Sequence, residues 1–402
     1  MLGRALKASF GPLGFANFRV LWMTFVLSNT AMWMFDTTAT LHLVDSGASP
    51  LEVALVQTAS TLPVFLLGLP SGALADLVCR RRLYLVAQIG LFVGATFTFI
   101  LMQNSIVSTT LILFCVFFYG LGFALRWPAY ASLVPSVLPL PQLQQAFALN
   151  SLAMNFARIL GPVIAGWTFV SFSPDIAFLL VALISLSSFW LILKSSIPSN
   201  APKFSFGRVF PAIREGLGIC LTNEIVRGIL ILVFFFFFTG ISTIALAALV
   251  GSFWLTSMPL SYSFLLSSMG LGAVASVLVL PKLREAISSN SLIFYALVFQ
   301  GFLISSLYFV RQDILLFVIY FLVGLSWVCV VSILTVTIQI ALQNEYRARG
   351  MSIYQICIMG GSAIGAGVWG TLTTLFGLDI AFLCSGFSVL GCLFLRFKDV
   401  ER

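Results

Sequence analysis

The chain has 402 residues, of which 60% are hydrophobic and only 8% charged. A sequence of that balance cannot enclose its apolar residues behind one water-facing surface, so the solvent for most of it is lipid. The formal charge of +8 does not mark a nucleic-acid binder, because the basic residues are spread along the chain and not gathered into one patch.

Hydropathy divides the chain into twelve apolar runs, at 18–43, 51–75, 83–104, 108–132, 146–170, 175–195, 226–250, 258–281, 291–310, 313–339, 351–375 and 378–396. A run of roughly 20 apolar residues spans about 30 Å of hydrocarbon as a helix. Backbone groups in lipid must bond within their own segment, and these runs are too long and too uniform for barrel strands. The predicted fold class is an all-α polytopic membrane protein with twelve transmembrane helices.

The charges between the runs alternate from side to side. Arg4, Lys7 and Arg19 precede or open the first run, and Arg80, Arg81 and Arg82 follow the second. Lys194, Lys203, Arg208, Arg214 and Arg227 surround the longest connection, while Lys282, Arg284, Arg347 and Arg349 mark later loops on the same side. Arg396, Lys398 and Arg402 end the chain there as well. The opposite loops carry Asp45, Glu52, Asp175, Asp313 and Asp379, with Arg311 as their one basic residue. The positive-inside rule therefore puts both termini in the cytoplasm, which requires an even number of crossings. The first run is too long for a secretory signal peptide, and no small-residue cleavage site follows it. Seven cysteines, an odd number lying in predicted helices or on the cytoplasmic side, predict neither a disulfide nor a metal site.

The polar stretch opened by Ser195-Ser196-Ile197-Pro198 divides the chain into an N-terminal six-helix bundle (1–195), a cytoplasmic connecting loop (196–225) and a C-terminal six-helix bundle (226–402). A weak internal repeat agrees, with Gly72-Ala73 aligned to Gly272-Ala273 and Gly166-Trp167 to Gly367 and Trp369. Parallel six-helix repeats place a substrate cavity between them near the midplane.

Away from the ends of the runs three charged side chains stand out: Asp36 in the first, Arg126 toward the cytoplasmic end of the fourth, and Arg158 near the middle of the fifth. A charge at membrane depth costs several kcal/mol unless it is paired or hydrated. Asp36 is the one carboxylate well within a run, and it is the proton-coupling candidate. Arg158 would serve as a fixed cation that attracts anionic groups or exchanges with Asp36, and the two differ in depth by at most about two helical turns. Arg126 is read either as a second central cavity charge or as a side chain that snorkels to the interface. His42 reads as an interfacial residue, and Asn29, Asn155, Gln300, Gln339, Tyr354 and Gln355 as cavity lining or interhelical bonds. The run Phe234 to Phe238 reads mainly as packing, since five consecutive rings face several directions.

Several stretches taken in order resemble one branch of the major facilitator superfamily, which holds the transmembrane secretion effectors and the enterobactin-type siderophore exporters. They are Ser49-Pro50-Leu51-Glu52 through Leu62-Pro63, the loop from Gly72 to Arg82, Pro128-Ala129 with Leu133-Val134-Pro135, and Asn155-Phe156-Ala157-Arg158-Ile159-Leu160-Gly161-Pro162-Val163-Ile164-Ala165-Gly166. Glu215-Gly216-Leu217 and Arg347-Ala348-Arg349-Gly350 follow in the second half. The resemblance implies a cytoplasmic gate built on Gly72, Asp76, Arg80, Arg81 and Arg82. Leu77 and Cys79 stand where the superfamily has arginine and glycine. It also implies an exporter-like motif at Gly161, Pro162 and Gly166 that closes the periplasmic side, with Ala157 in place of an upstream glycine.

No GxxxxGK[ST] loop occurs, so energy must come from an ion gradient or from the cargo's own gradient. The leading expectation is a secondary active, proton-coupled exporter of a small amphipathic molecule, a siderophore or secreted metabolite ahead of a drug. An importer of a nutrient or iron chelate, and a sensor or assembly protein without transport, are the alternatives. No HExxH, GxSxG or paired-cysteine motif marks an enzyme, and no cofactor is expected. The expected setting is the inner membrane of a bacterium, with a small molecule, protons and lipid as partners, no nucleic acid, and a monomeric protein.

Overall fold

Lipid offers a backbone no partner but itself, and the chain answers with helix. The computed structural model describes residues 11–104, 107–197, 218, 220–255, 260–343 and 346–395, with the backbone alone at 69, 71–77 and 348. Twelve helical bodies follow one another: α1 (Ala16–Asp45), α2 (Pro50–Leu77), α3 (Arg80–Gln103), α4 (Thr109–Val137), α5 (Leu143–Ser171) and α6 (Pro174–Lys194), then α7 (Glu224–Trp254), α8 (Leu260–Ala286), α9 (Ser289–Ser306), α10 (Asp313–Ala341), α11 (Arg347–Phe376) and α12 (Leu378–Gly391). Of the expected connection at 196–225, residues 198–217 and 219 lie outside the described residues, as do Arg4, Lys7, Arg396, Lys398 and Arg402.

Ten of the twelve are long and apolar enough to cross a membrane. The other two depart for different reasons. α12 has 14 residues before a 3-10 turn at Cys392–Phe394, so it ends short of the expected residue 396. α1 has 30 residues but buries Thr24, Ser28, Asn29, Thr30, Thr37, Thr38 and Thr40, which lower its hydropathy. Its polar residues face protein and not lipid, which is the mark of a helix lining the interior.

The seventh run differs from its expected form of one helix over 226–250. It is three pieces, Glu224–Gly240, Ser242–Ala245 and Ala247–Trp254, with breaks at Ile241 and Leu246. A broken helix is tolerated at membrane depth where protein encloses it, and α7 is the most buried of the spans, at 72%. Gly240 permits this packing, since a Cβ there would meet the Trp327 ring and the Gln300 amide.

The helix ends are fixed locally. Gly47, at φ 74°, turns the chain between α1 and α2. Glu52 Oε2 then accepts bonds from the Ser49 backbone N–H and hydroxyl, both at 2.8 Å, and caps the start of α2.

The two halves use one packing plan. α1 lies on α5, α2 on α4, and α3 on α6; α7 lies on α11, α8 on α10, and α9 on α12. The glycines show how close the equivalent contacts are. Pro63 cannot donate to the Ala59 carbonyl, and α4 closes on this stretch through Gly120, where a Cβ would stand 2.9 Å from both the Pro63 ring and the Ser60 carbonyl. In the second half Gly324 of α10 fits against the Met269 carbonyl and Gly272 of α8 against the Phe321 carbonyl. Gly166 of α5 faces Ser263 of α8, and its counterpart is Gly370 of α11, which faces Leu51 and Ala54 of α2. Gly161 facing Thr30 and Trp33 matches Gly365 facing Phe238 and Ile241. These contacts place Gly166 opposite Gly370 in the repeat, three residues from the Gly367 that the sequence alignment paired with it.

The halves meet chiefly through α2 against α11 and α5 against α8. Thr374 Oγ1 accepts from the Leu51 N–H at 3.1 Å, and Thr58 Oγ1 donates to the Ala363 carbonyl at 2.8 Å. Ser267 Oγ donates to the Ile159 carbonyl at 2.8 Å.

Because a backbone carbonyl occupies the space beside Gly324, Gly324→Val is expected to lower stability by about 3 kcal/mol or to prevent folding. Gly391→Ala, where nothing lies within 4 Å, is expected to leave the melting temperature of detergent-purified protein unchanged. Equal melting temperatures for the two variants would refute the close α8–α10 packing.

Candidate functional site

A ladder of side-chain bonds runs along α1. Near its start Thr24 Oγ1 pairs with the Tyr84 hydroxyl at 3.0 Å, and Ser28 with the Gln88 amide of α3 at 2.9 Å. One residue further, Asn29 Oδ1 accepts from Arg126 Nη2 of α4 at 3.2 Å. Two turns higher, Asp36 Oδ2 accepts from the Ser60 hydroxyl of α2 at 2.7 Å. These polar side chains of α1 are met by α3, α4 and α2 in succession, which anchors the helix along its length.

Asp36 stands where the two halves adjoin. Its Oδ1 is buried and has no hydrogen-bond partner. Thr40 Oγ1 donates to the Asp36 backbone carbonyl at 2.7 Å, and the Thr37 and Thr40 side chains lie near the Tyr262 hydroxyl of α8. Tyr262 is 4% exposed and within electrostatic reach of Asp36. Tyr320 of α10 lies in the field of Tyr262 and has a buried hydroxyl without a partner. The Asp36 carboxylate thus has one oxygen fixed by Ser60 and the other buried and uncommitted.

The structure does not join Asp36 to Arg158. Arg158 lies over the Trp33 ring at 5.5 Å, with Nε unpartnered, and the one ion pair among the described residues is Arg311 with Asp379. Arg158 meets α1 through Trp33 while Asp36 is held by Ser60 of α2, so the similar depth inferred from the sequence is not accompanied by a contact between the two groups. The snorkelling reading of Arg126 is likewise corrected. Its side chain is 0% exposed, bonded to Asn29 and set over the Phe123 ring at 4.6 Å and the Phe25 ring at 5.4 Å. His42 is half-buried near the end of α1.

The arginine triplet is divided in use. Arg81 Nη2 donates to the carbonyls of Ile192, Leu193 and Ser195, at 3.1, 2.9 and 2.8 Å, and so caps the C-terminus of α6. A cation is favoured there by the helix dipole and by the unpaired terminal carbonyls. Arg80 Nη1 donates to the Ser132 carbonyl of α4 at 3.4 Å, and Arg82 is exposed. These bonds stay within the first half. Gly72 and Asp76 lie in α2, and their side-chain surroundings lie outside the described residues. In α5, Gly161 seats against α1 of its own half and Gly166 against α8 of the other, with Pro162 buried between them.

Sequence reasoning missed Ser60, Thr40, Tyr262 and Trp33. A serine, a threonine or an aromatic inside an apolar run carries no signal that separates a carboxylate's partner from ordinary helix packing. Asn29 was visible as a polar group within a run, but its arginine partner was not. A recess of about 530 Å³ lies between α2 and α11, lined by Thr58, Leu62, Ala363, Gly367, Val368 and Thr371. It is predominantly apolar and contains no charged side chain, so the chemistry of the site rests with α1 and not with this recess.

Comparison with known proteins extends the same picture. A family model described as transmembrane secretion effector matches residues 7–399. The Staphyloferrin A transporter of Staphylococcus aureus is 22% identical over 373 residues, covering 87% of each protein. An uncharacterized MFS-type transporter of Bacillus subtilis, YfiS, is 27% identical over 159 residues, 38% of this chain and 36% of that protein. Among solved structures, a mutant form of the nucleoside transporter NupG superposes with a TM-score of 0.75 at 11% identity, covering 94% of this chain and 98% of its own. A POT family transporter in complex with a thioalcohol-conjugated peptide gives 0.74 at 13% identity, covering 94% of each.

Arg81→Gln is expected to destabilise the purified protein by about 1–2 kcal/mol, since the last carbonyls of α6 lose a charged donor. Hydrogen exchange at 190–195 is expected to quicken in that variant. Arg82→Gln is expected to match wild type, and equal exchange in all three proteins would refute the capping role.

Proposed function

The chain belongs to the transmembrane secretion effector family of the major facilitator superfamily, and from that premise we propose that it exports a small amphipathic molecule in exchange for protons. A multi-pass membrane transporter, not an enzyme, is the setting for this reading. The observation that carries it is Asp36, a carboxylate at membrane depth with a buried, uncommitted Oδ1 at the junction of α1, α2 and α8.

The mechanism follows from what a proton does at that atom. While Asp36 is charged, Oδ2 holds the Ser60 hydroxyl of α2 and the charge acts on Tyr262 across the junction. A proton on Oδ1 cancels the charge and converts an acceptor into a donor that needs a new partner. The α1–α8 contact then favours a different relative position of the halves, so proton binding and cargo binding select different states of a two-state rocking element. Proton entry from one side thereby drives cargo exit toward the same side. In this reading the contact that α5 makes with α8 through Gly166 is where the two halves turn on one another, while Gly161 holds α5 to α1 within its own half.

The positive-inside pattern orients the Arg80 end toward the cytoplasm. The proposed location is the inner membrane of a bacterium, with the protein acting as a monomer. For cargo, the sequence resemblance to siderophore exporters and the relative named as the Staphyloferrin A transporter support a siderophore or secreted metabolite.

The test uses the purified full chain in oriented proteoliposomes, with cargo found by comparing small molecules retained in deletion cells with those released on overexpression. An imposed proton gradient is expected to drive cargo out of the compartment facing the Arg80 end. Asp36→Asn is expected to reduce proton-driven flux to background while exchange of cargo down its own gradient persists. Ser60→Ala is expected to slow flux by about three- to tenfold without uncoupling it. Full proton-driven flux in Asp36→Asn would remove Asp36 from the coupling role, and accumulation in the opposite direction would establish import.

A further inference from the structure

The mechanism above makes no use of Arg126, a buried cation with most of its donors unpaired. It is 0% exposed, and of its three nitrogens only Nη2 has a partner, the Asn29 amide oxygen at 3.2 Å. Nε and Nη1 are buried without one. No carboxylate of the described residues pairs with it, since the one ion pair among them is Arg311 with Asp379. An unpaired cation held away from water costs several kcal/mol, which a fold that needed only packing would avoid with an apolar residue.

What surrounds the guanidinium is aromatic. The Phe123 and Phe25 rings lie under it at 4.6 and 5.4 Å, and Trp127 and Tyr130 continue the wall, with Phe25 and Tyr130 stacked at 4.3 Å. The ring faces partly stabilise the charge but leave the N–H donors unsatisfied. Tyr130 donates to Asn150 Oδ1 of α5 at 2.7 Å, so the tyrosine hydroxyl is already committed and the aromatic wall is fixed in place. Phe123 and Trp127 are half-buried and form the rim. Fixed aromatic walls, one amide and unused cationic donors are the elements that hold an anionic head on an apolar or aromatic body.

We infer that Arg126, with Asn29 and the Phe25, Phe123 and Trp127 rings, is the receptor for a carboxylate-type anionic group on an amphipathic cargo. The inference rests on the transport reading given above and adds the cargo's charge class. Asp36 carries the proton and Arg126 takes the cargo, two turns apart on the faces that α1 presents to α2 and α4. In this conformer the guanidinium is closed off, so the occupied state is one in which the rim of Phe123 and Trp127 has parted.

The test compares 1-pyrenebutyrate with its neutral isostere 1-pyrenebutanol, bound to the full-length protein in nanodiscs without any gradient. Wild type is expected to prefer the carboxylate by at least about tenfold. Arg126→Gln is expected to abolish the preference while retaining the alcohol, and Arg126→Lys to keep part of it. Should Arg126→Gln fail to fold, Asn29→Asp serves in its place, because a built-in carboxylate beside Arg126 is expected to raise the melting temperature and remove the preference. Equal binding of both probes by wild type, or a preference that survives Arg126→Gln or Asn29→Asp, would overturn the inference. The assay needs neither proton coupling nor a direction of transport, so carboxylate preference without proton-driven flux would sink the exporter reading alone. Proton-driven flux with no carboxylate preference would sink this one alone.

Discussion

At membrane depth a polar side chain has only other protein groups, or trapped water, to bond with, and the arrangement of α1 depends on that constraint. Seven buried polar residues and a carboxylate would be prohibitive on a helix facing lipid. Thr24, Ser28, Asn29 and Asp36 find matching groups on α3, α4 and α2, while Thr38 and Thr40 bond to carbonyls of α1 itself. The ladder fixes the rotation of α1, the rotation of α1 decides that Asp36 meets Ser60 and Trp33 meets Arg158, and those contacts set the site's electrostatics.

Close packing supplies what side-chain bonds do not. Association in lipid gains little from burial of apolar surface, so helices hold together by approach and fit, and glycine is what lets backbones come near. Gly120 against Pro63, Gly324 against Met269, and Gly166 against Ser263 are contacts of this kind. The broken α7 belongs to the same logic, since only a well-enclosed helix keeps its freed backbone groups bonded when its pattern is interrupted.

The number and order of the helices were legible from hydropathy because a 20-residue apolar run has one stable form in lipid. α7 was legible in place but not in form, for Gly240 and the residues after it look apolar whether the helix continues or breaks. Asp36, Arg126 and Arg158 stood out by charge, yet their partners did not. Which neighbour each meets is settled by helix rotation and by the groups that the adjoining helices supply at that height, and hydropathy gives neither. Arg126 was the clearest case: its place near one end of α4 suggested an interfacial side chain, and the inward face of the helix made it fully buried. The glycine register of the repeat was misread by three residues at α11, because glycines are frequent enough to match by eye, while only their contacts tell which are equivalent.

The two halves share a packing plan but not a chemistry. Where α1 has Asp36 and α4 has Arg126, the α7 and α10 segments that repeat their roles offer phenylalanine, isoleucine, valine and tryptophan. One half carries these ionisable groups and the other forms the surface packed against it. New cargo preferences in such a lineage have an unequal target. On the proposed function, substitutions in the first half would alter what is recognised and coupled and substitutions in the second how readily the pair changes state, so specificity and turnover could evolve on separate stretches of one gene.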